Sequence, residues 1–141
     1  MAAHDLPAGA SVGFETAIRL AYANYATMAG RATRAEYWWF YPFTMIVGIP
    51  SNFLVYAASF SNGGIGAGSG PLLLIADLLW IAQAAAFAIP TFTLAVRRLH
   101  DTNRSAHYLW FGLLPFAGQV VIWVLLLLPS DPAPNRYGPR R

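Results

Sequence analysis

Residues 71–105, PLLLIADLLWIAQAAAFAIPTFTLAVRRLHDTNRS, join a long apolar run to the densest group of charges in the chain. About 20 apolar residues in a helix are enough to cross the hydrocarbon core of a bilayer, and the run over 71–96 exceeds that length. The charged block over 97–105 follows at once, although only 11% of all residues are charged. Because charge is costly near lipid, we expect this block to lie at a membrane boundary and to contribute to function.

The composition is that of an integral membrane protein. Of the 141 residues, 57% are hydrophobic, and the mean hydropathy is +0.45. A soluble domain of this length does not need so much apolar surface for its core. The absence of cysteine excludes disulfides, thiolate metal ligands and thiol nucleophiles.

The charge balance points to a lipid partner. All nine basic residues are arginine and the net charge is +3, which favours anionic phospholipid headgroups. The arginines flank apolar segments instead of lining one soluble face, so we expect no nucleic-acid partner.

Apolar patterning predicts an all-α, multi-pass membrane protein with about three transmembrane helices. We predict a flexible leader over 1–13, a single membrane domain over 14–139 and a basic tail over 129–141. The apolar segments of the domain cover about 37–57, 71–96 and 108–128, and a charge-free Gly/Ser connector over 61–70 separates the first two.

An amphipathic helix precedes the first span. Between Phe14 and Met28 apolar residues recur at steps of three and four, which predicts a helix to about residue 29. Its aromatic stripe leads directly into the first span and favours a position in the membrane interface. Packing of the stripe against the protein's own spans is the alternative.

The third apolar segment allows two geometries because Pro115-Phe116-Ala117-Gly118 interrupts it. One kinked helix would cross the bilayer, whereas two short helices would turn and return to the starting side. Arginines before the first span and after the second place the N-terminus and the 97–107 loop in the cytoplasm, since the connector between the spans has none. We predict three crossings, because a continuous apolar run of that length usually crosses, and this would place the tail outside.

Three motifs carry a resemblance to a known family. Residues 30–38, GRATRAEYW, are similar to a GRxxRxE(Y/F)W signature, residues 97–105 to RRLHDxxRS, and residues 135–139, NRYGP, to NxYGP. In this order they resemble the DUF805 family of small bacterial inner-membrane proteins. The resemblance implies a multi-pass fold in the inner membrane and brings with it no reaction, ligand or cofactor.

The charged motifs provide the candidate site. Arginine presents a planar donor fork suited to phosphate or carboxylate. If the first two spans are oriented as predicted, these motifs meet on one face of the membrane, either as an anion site or as a structural cluster of salt bridges that locks the spans together. The candidate residues of this polar cluster are Arg31, Arg34, Glu36, Arg97, Arg98, His100, Asp101, Arg104, Asn135 and Tyr137.

Three classes of function are consistent with these features. We favour an interaction, accessory or scaffold protein that assembles with itself or a larger membrane complex and whose arginine-rich face binds anionic lipid. A lipid- or phosphometabolite-handling enzyme that uses the Arg/His/Asp face is one alternative. An oligomeric transporter or channel element is the other, with the intramembrane polar residues Asp77, Gln83 and Gln119 lining its path.

The sequence offers no recognisable catalytic or metal-binding motif. The three histidines lack zinc-motif spacing, and the glycine-rich connector lacks the lysine of a phosphate-binding loop. Asp101, Ser105 and His107 have the residue types of a hydrolytic triad, but such close spacing is typical of a chance local cluster. We therefore predict no catalytic residue, metal or cofactor.

Overall fold

The computed structural model describes residues 12–61, 63 and 70–139. Within the described residues the only extended pairing is an isolated bridge between Asn135 and Gly138, so the all-helical prediction is confirmed. The leader, up to residue 11, and most of the glycine-rich connector lie outside the described residues. In chain order the elements are α1 (Phe14–Ala23), α2 (Arg34–Ser61), α3 (Pro71–Asp101), the 3-10 helix (Ala106–Leu113) and α4 (Ala117–Leu127).

Helices α2 and α3 are the two candidate membrane spans in the described part of the chain, being long and apolar enough to cross a bilayer. Thr33 and Glu36 form a capping box at the start of α2: the Thr33 backbone N–H donates to the Glu36 carboxylate at 3.1 Å, and the Glu36 N–H to the Thr33 hydroxyl at 3.3 Å. Pro71 opens α3 at the first helical position, where its missing N–H costs nothing. The internal prolines, at 42, 50 and 90, do not end either helix.

Polar side chains join the two spans inside a compact unit formed by Tyr41–Ala88. The Ser51 hydroxyl donates to Gln83 at 2.6 Å, and the Trp80 indole N–H donates to Asn52 at 3.1 Å. A Cβ at Gly48 would lie 3.0 Å from the Gln83 amide nitrogen, so the glycine permits this close approach. Satisfied amide and hydroxyl groups stabilise helix pairs in lipid, where water does not compete.

The described part of the second unit comprises residues 12–40 and 89–139, and α1 packs within it. The buried face of α1 consists of Ala17, Leu20 and Ala21, and the Tyr22 ring meets the Phe40 ring edge to face at 5.7 Å. Helix α1 thus packs against the protein's own chain through this face, whereas Phe14 and Met28, the first and last residues of the predicted apolar stripe, are exposed. The location of α1 relative to the membrane interface stays a prediction.

Helix α1 is shorter than predicted. It ends at Ala23 instead of about residue 29, because Asn24 competes for the helical carbonyls. Both the backbone N–H and the side-chain amide of Asn24 donate to the Leu20 carbonyl, at 3.1 and 2.8 Å. Asparagine side chains of this kind favour helix ends over helix interiors.

The charged block is helical through Asp101, and the prediction of a loop from residue 97 was wrong. Arginine and histidine in the last turn of α3 suit the negative end of the helix dipole. The helix then ends in a Schellman motif: Arg104 N–H donates to the Leu99 carbonyl at 2.9 Å, and Asn103 N–H to the His100 carbonyl at 3.0 Å. Asn103 takes the left-handed conformation that this motif requires, with φ of 59°.

The third apolar segment is two short helices and not one kinked helix. The 3-10 helix and α4 meet at a turn in which Phe116 has a positive φ of 57°. The turn is tight, because a Cβ on Gly118 would lie 1.7 Å from the Phe111 carbonyl oxygen. Neither helix is long enough to cross a bilayer alone, so the predicted count of three crossings is not confirmed.

Gly118→Ala tests this turn. The added methyl group would collide with backbone, so we expect a loss of about 2 kcal/mol or more in the free energy of unfolding. Thermal unfolding in detergent would measure the loss. Gly112→Ala is the control, since its methyl group would meet side-chain ends and no backbone: Ile122 Cδ1 at 3.1 Å and Gln119 Nε2 at 3.9 Å. Equal stability of the two variants would contradict the described turn.

Candidate functional site: a buried Arg–Asp centre

Asp101 lies at the centre of the predicted polar cluster. Its Oδ1 accepts from Arg31 Nε at 2.8 Å, and its Oδ2 accepts from Arg98 Nη1 at 2.5 Å. All three side chains are 2% exposed or less. The last turn of α3 supplies Arg98 and Asp101 three residues apart on one helix face, and the segment before α2 supplies Arg31.

The remaining donors of Arg31 bind backbone carbonyls. Nη1 donates to Ala133 at 2.9 Å, while Nη2 donates to Asp131 at 2.5 Å and to Asp101 at 3.2 Å. Two of these acceptors belong to the tail. The Asp131 N–H in turn donates to the Asp101 carbonyl at 2.9 Å, so the tail is held to the end of α3 from both directions.

Arg98 ties the end of α4 to the end of α3. Its Nε donates to the Leu126 carbonyl at 3.0 Å, and its Nη2 donates to the Leu128 carbonyl. The last carbonyls of a helix lack partners within the helix, and an arginine is well suited to satisfy them. The chain leaves α3 at Asp101 and returns to Arg98 at the end of α4, so the segment between them is a hairpin.

The NRYGP motif closes over the same centre. The Tyr137 ring stacks on the His100 ring with centroids 3.7 Å apart, and Asn135 Nδ2 donates to the His100 carbonyl at 2.9 Å. Gly138, with φ of 124°, completes the tight turn that brings Asn135 and Gly138 into their backbone bridge. The Arg136 guanidinium lies 4.8 Å from the centroid of the Tyr137 ring.

The other predicted members of the polar cluster lie in different settings. Glu36 is buried in the capping box of α2. Arg97 is fully buried, and its carbonyl accepts from the Ala32 N–H at 3.0 Å. Arg34 is exposed, whereas Arg104 is half-buried and donates to the Thr102 carbonyl at 3.4 Å.

The intramembrane polar candidates have separate local settings. Gln83 bonds to Ser51 between the spans, Gln119 donates to the Gly112 carbonyl at 3.3 Å, and Asp77 is exposed on α3. The structure gives each of the two glutamines a local partner.

The residue types of a hydrolytic triad do not assemble into one. Ser105 Oγ lies 2.7 Å from His107 Nδ1, but both carboxylate oxygens of Asp101 are engaged by arginines. Ser105 also caps the 3-10 helix by accepting from the His107 N–H at 3.4 Å. Among the residues that the structure describes, no group of three or more metal-ligating side chains is present.

Sequence reasoning missed two features: the capping box of α2 and the backbone carbonyls that accept from the buried arginines. Thr33 had a readable signal, since Thr-x-x-Glu before an apolar run is the signature of a capping box. The carbonyls of Leu126, Leu128, Asp131 and Ala133 had none, because every residue carries a carbonyl and only tertiary packing selects the acceptors.

The fold and the site define a small helical membrane protein with two candidate spans and a buried Arg–Asp centre at the end of α3. The family model that matches, described as a protein of unknown function, DUF805, covers residues 25–139. The chain belongs to the DUF805 family, as the three motifs indicated.

Relatives in Escherichia coli K12 are inner membrane proteins. The chain is 32% identical to inner membrane protein YhaI over 117 residues, which cover 82% of this chain and 86% of the relative. It is 33% identical to inner membrane protein YhaH over 120 residues, which cover 82% and 88%. No solved structure matches.

A matched pair of arginines tests the role of the buried centre. Arg31→Gln removes a buried charge from its carboxylate and carbonyl partners, so we expect a loss of about 3–5 kcal/mol in the free energy of unfolding. Arg34→Gln alters an exposed arginine three residues later and should change the free energy of unfolding by about 0.5 kcal/mol or less. Denaturation in detergent micelles measures both. Similar stability of the two variants would show that the buried ion pairs do not hold the fold.

Proposed function

We propose that this protein is an interaction or accessory protein of the bacterial inner membrane whose cytoplasmic charged module binds anionic phospholipid headgroups. The charged module comprises residues 30–36, 97–104 and 131–139. The observation that carries the proposal is the division of its arginines into two groups. Arg31 and Arg98 are buried with internal acceptors, whereas Arg34 and Arg136 are exposed on the same module.

The charge of the module supports an anionic partner. It contains six arginines against three carboxylates, a net charge of +3 without the histidine. Asp101, a buried carboxylate, is already matched by two arginines. Juxtamembrane arginines near an anionic leaflet contribute about 1 kcal/mol each to binding. A fixed module of this kind would bind headgroups through its exposed cations.

The proposal includes a topology of two crossings and one hairpin that returns to the cytoplasmic side. The contact of Arg98 with the end of α4 supports it, as do the contacts of Arg31 with the tail. The tail and the residues before α2 would then share one side of the membrane. Every arginine would be cytoplasmic, which agrees better with the positive-inside rule than three crossings.

Single cysteines can test this topology because the chain has none of its own. We expect Ser61→Cys, at the end of α2, to react with an impermeant maleimide in intact spheroplasts. Thr27→Cys and Ala133→Cys, both at exposed positions, should react only after permeabilisation. Labelling of Ala133→Cys together with Ser61→Cys would indicate that the third segment crosses. The reverse pattern for Thr27→Cys and Ser61→Cys would overturn the orientation.

Lipid retention tests the binding function. We expect native mass spectrometry of the protein from mixed nanodiscs to show retained phosphatidylglycerol in several-fold excess over phosphatidylcholine. The double variant Arg34→Gln, Arg136→Gln should reduce that excess several-fold, because it removes exposed charge without touching the buried pairs. Arg19→Gln is the control, since Arg19 is exposed on α1 and pairs with Glu15. Equal retention of both lipids by the unaltered protein would overturn the proposal.

The same spectra address the interaction role. Exposed apolar side chains on the candidate spans, such as Phe53, Phe60 and Leu78, are available to lipid or to other helices. A second copy or a stoichiometric foreign chain retained in the spectrum would identify an assembly. A bare monomer released from its own membrane under gentle conditions would contradict the accessory role while leaving lipid binding to the retention experiment.

A further inference from the structure

A cavity of about 320 Å³ opens between α3 and the 3-10 helix. This volume is at the lower end of the roughly 300–1,000 Å³ typical of ligand pockets. Its wall is apolar except for one imidazole. The lining residues are Phe92, Ala106, His107, Leu109, Trp110 and Leu113.

The apolar wall continues onto exposed side chains. Trp110 is 68% exposed and Leu113 is 75% exposed. Both belong to the 3-10 helix, which contains no Asp, Glu, Lys or Arg. Exposed aromatic and aliphatic groups around an apolar cavity are suited to a hydrocarbon chain and not to a hydrated metabolite.

His107 gives the cavity a polar edge. Its Nδ1 lies 2.7 Å from the Ser105 hydroxyl, and Nε2 makes no hydrogen bond within the described residues. When Ser105 donates to Nδ1, a neutral imidazole carries its proton on Nε2. That N–H is then a donor available to a phosphate oxygen.

Arg104 supplies a cation close in sequence to this edge, since it directly precedes Ser105. Its side chain is half-buried, and within the described residues its guanidinium makes one hydrogen bond, of 3.4 Å to the Thr102 carbonyl. An arginine has five N–H donors, so further donors of Arg104 can bind another acceptor. Arg104 contrasts with Arg31 and Arg98, whose guanidinium groups are surrounded by internal acceptors.

We infer that this cavity holds part of one acyl chain of an anionic phospholipid, whose phosphate is bound by His107 and Arg104. The inference rests on the proposed function and makes it specific, since it assigns one binding site to one lipid molecule. Charge complementarity selects the anionic headgroup, and the apolar wall selects the chain. Neither Arg34 nor Arg136 lines the cavity.

Filling the cavity tests the proposed lipid-binding site directly. Ala106→Phe places a ring in the cavity, and we expect it to remove one tightly retained phosphatidylglycerol from the native mass spectrum. Tyr108→Trp is the matched control: it enlarges a residue of the same 3-10 helix that does not line the cavity. Arg104→Gln should weaken retention of the same molecule several-fold without filling the cavity.

Tryptophan fluorescence provides a second measurement that does not depend on the Ala106→Phe variant. Phosphatidylglycerol with brominated acyl chains, at low mole fraction in unbrominated phosphatidylcholine, should quench Trp110 more strongly than brominated phosphatidylcholine at the same fraction. The excess quenching should disappear in Trp110→Phe. This readout remains usable if Ala106→Phe does not fold.

The outcomes separate the inference from the proposed function. In one outcome the unaltered protein prefers phosphatidylglycerol, while Ala106→Phe retains the same amount of this lipid and Trp110 shows no excess quenching. That result refutes the binding site in the cavity, and the proposed function stands. If neither lipid is preferred, both are refuted. Loss of one phosphatidylglycerol in Ala106→Phe but not in Tyr108→Trp, together with excess quenching of Trp110, supports a lipid-binding site in the cavity.

Discussion

The carboxylate of Asp101 is the constraint on which the charged module depends. It takes one arginine from its own helix and one from the segment before α2, both in an environment closed to water. A carboxylate buried there without cations would be very costly, and so would either arginine alone. The three groups therefore stabilise one arrangement of the chain, in which the start of α2, the end of α3, the end of α4 and the tail meet.

A buried ion triad of this kind gives specificity more clearly than it gives stability. Desolvation of three charges offsets much of their attraction, and apolar replacements of similar volume can be equally stable. What apolar residues cannot do is select acceptors. Arg31 and Arg98 together bind carbonyls at Leu126, Leu128, Asp131 and Ala133, which positions the hairpin and the tail against the end of α3. We infer that the charges fix which segments meet.

The division between buried and exposed arginines reconciles the two interpretations of the charged motifs. The lattice of salt bridges exists at Asp101, and its arginines have their donors engaged internally. Arg34 and Arg136 are exposed and Arg104 is half-buried, and these three are the arginines that the proposed anion binding would use. The RRLHDTNRS motif contributes to both groups of arginines: Arg98 belongs to the buried centre with Asp101, whereas Arg104 is half-buried and directly precedes Ser105, the cap of the 3-10 helix.

The sequence by itself determined the helical class, the two long spans, the family and the residue types of the charged centre, because hydropathy and motif spacing are local properties. It could not determine that α3 continues through Asp101, since Asn103 ends the helix through a left-handed turn that many sequences form elsewhere. It also left open whether 108–128 crosses the membrane. Tertiary structure decided the form of that segment, because its hairpin depends on Arg98 reaching the last carbonyls of α4 and on a backbone contact that only Gly118 permits.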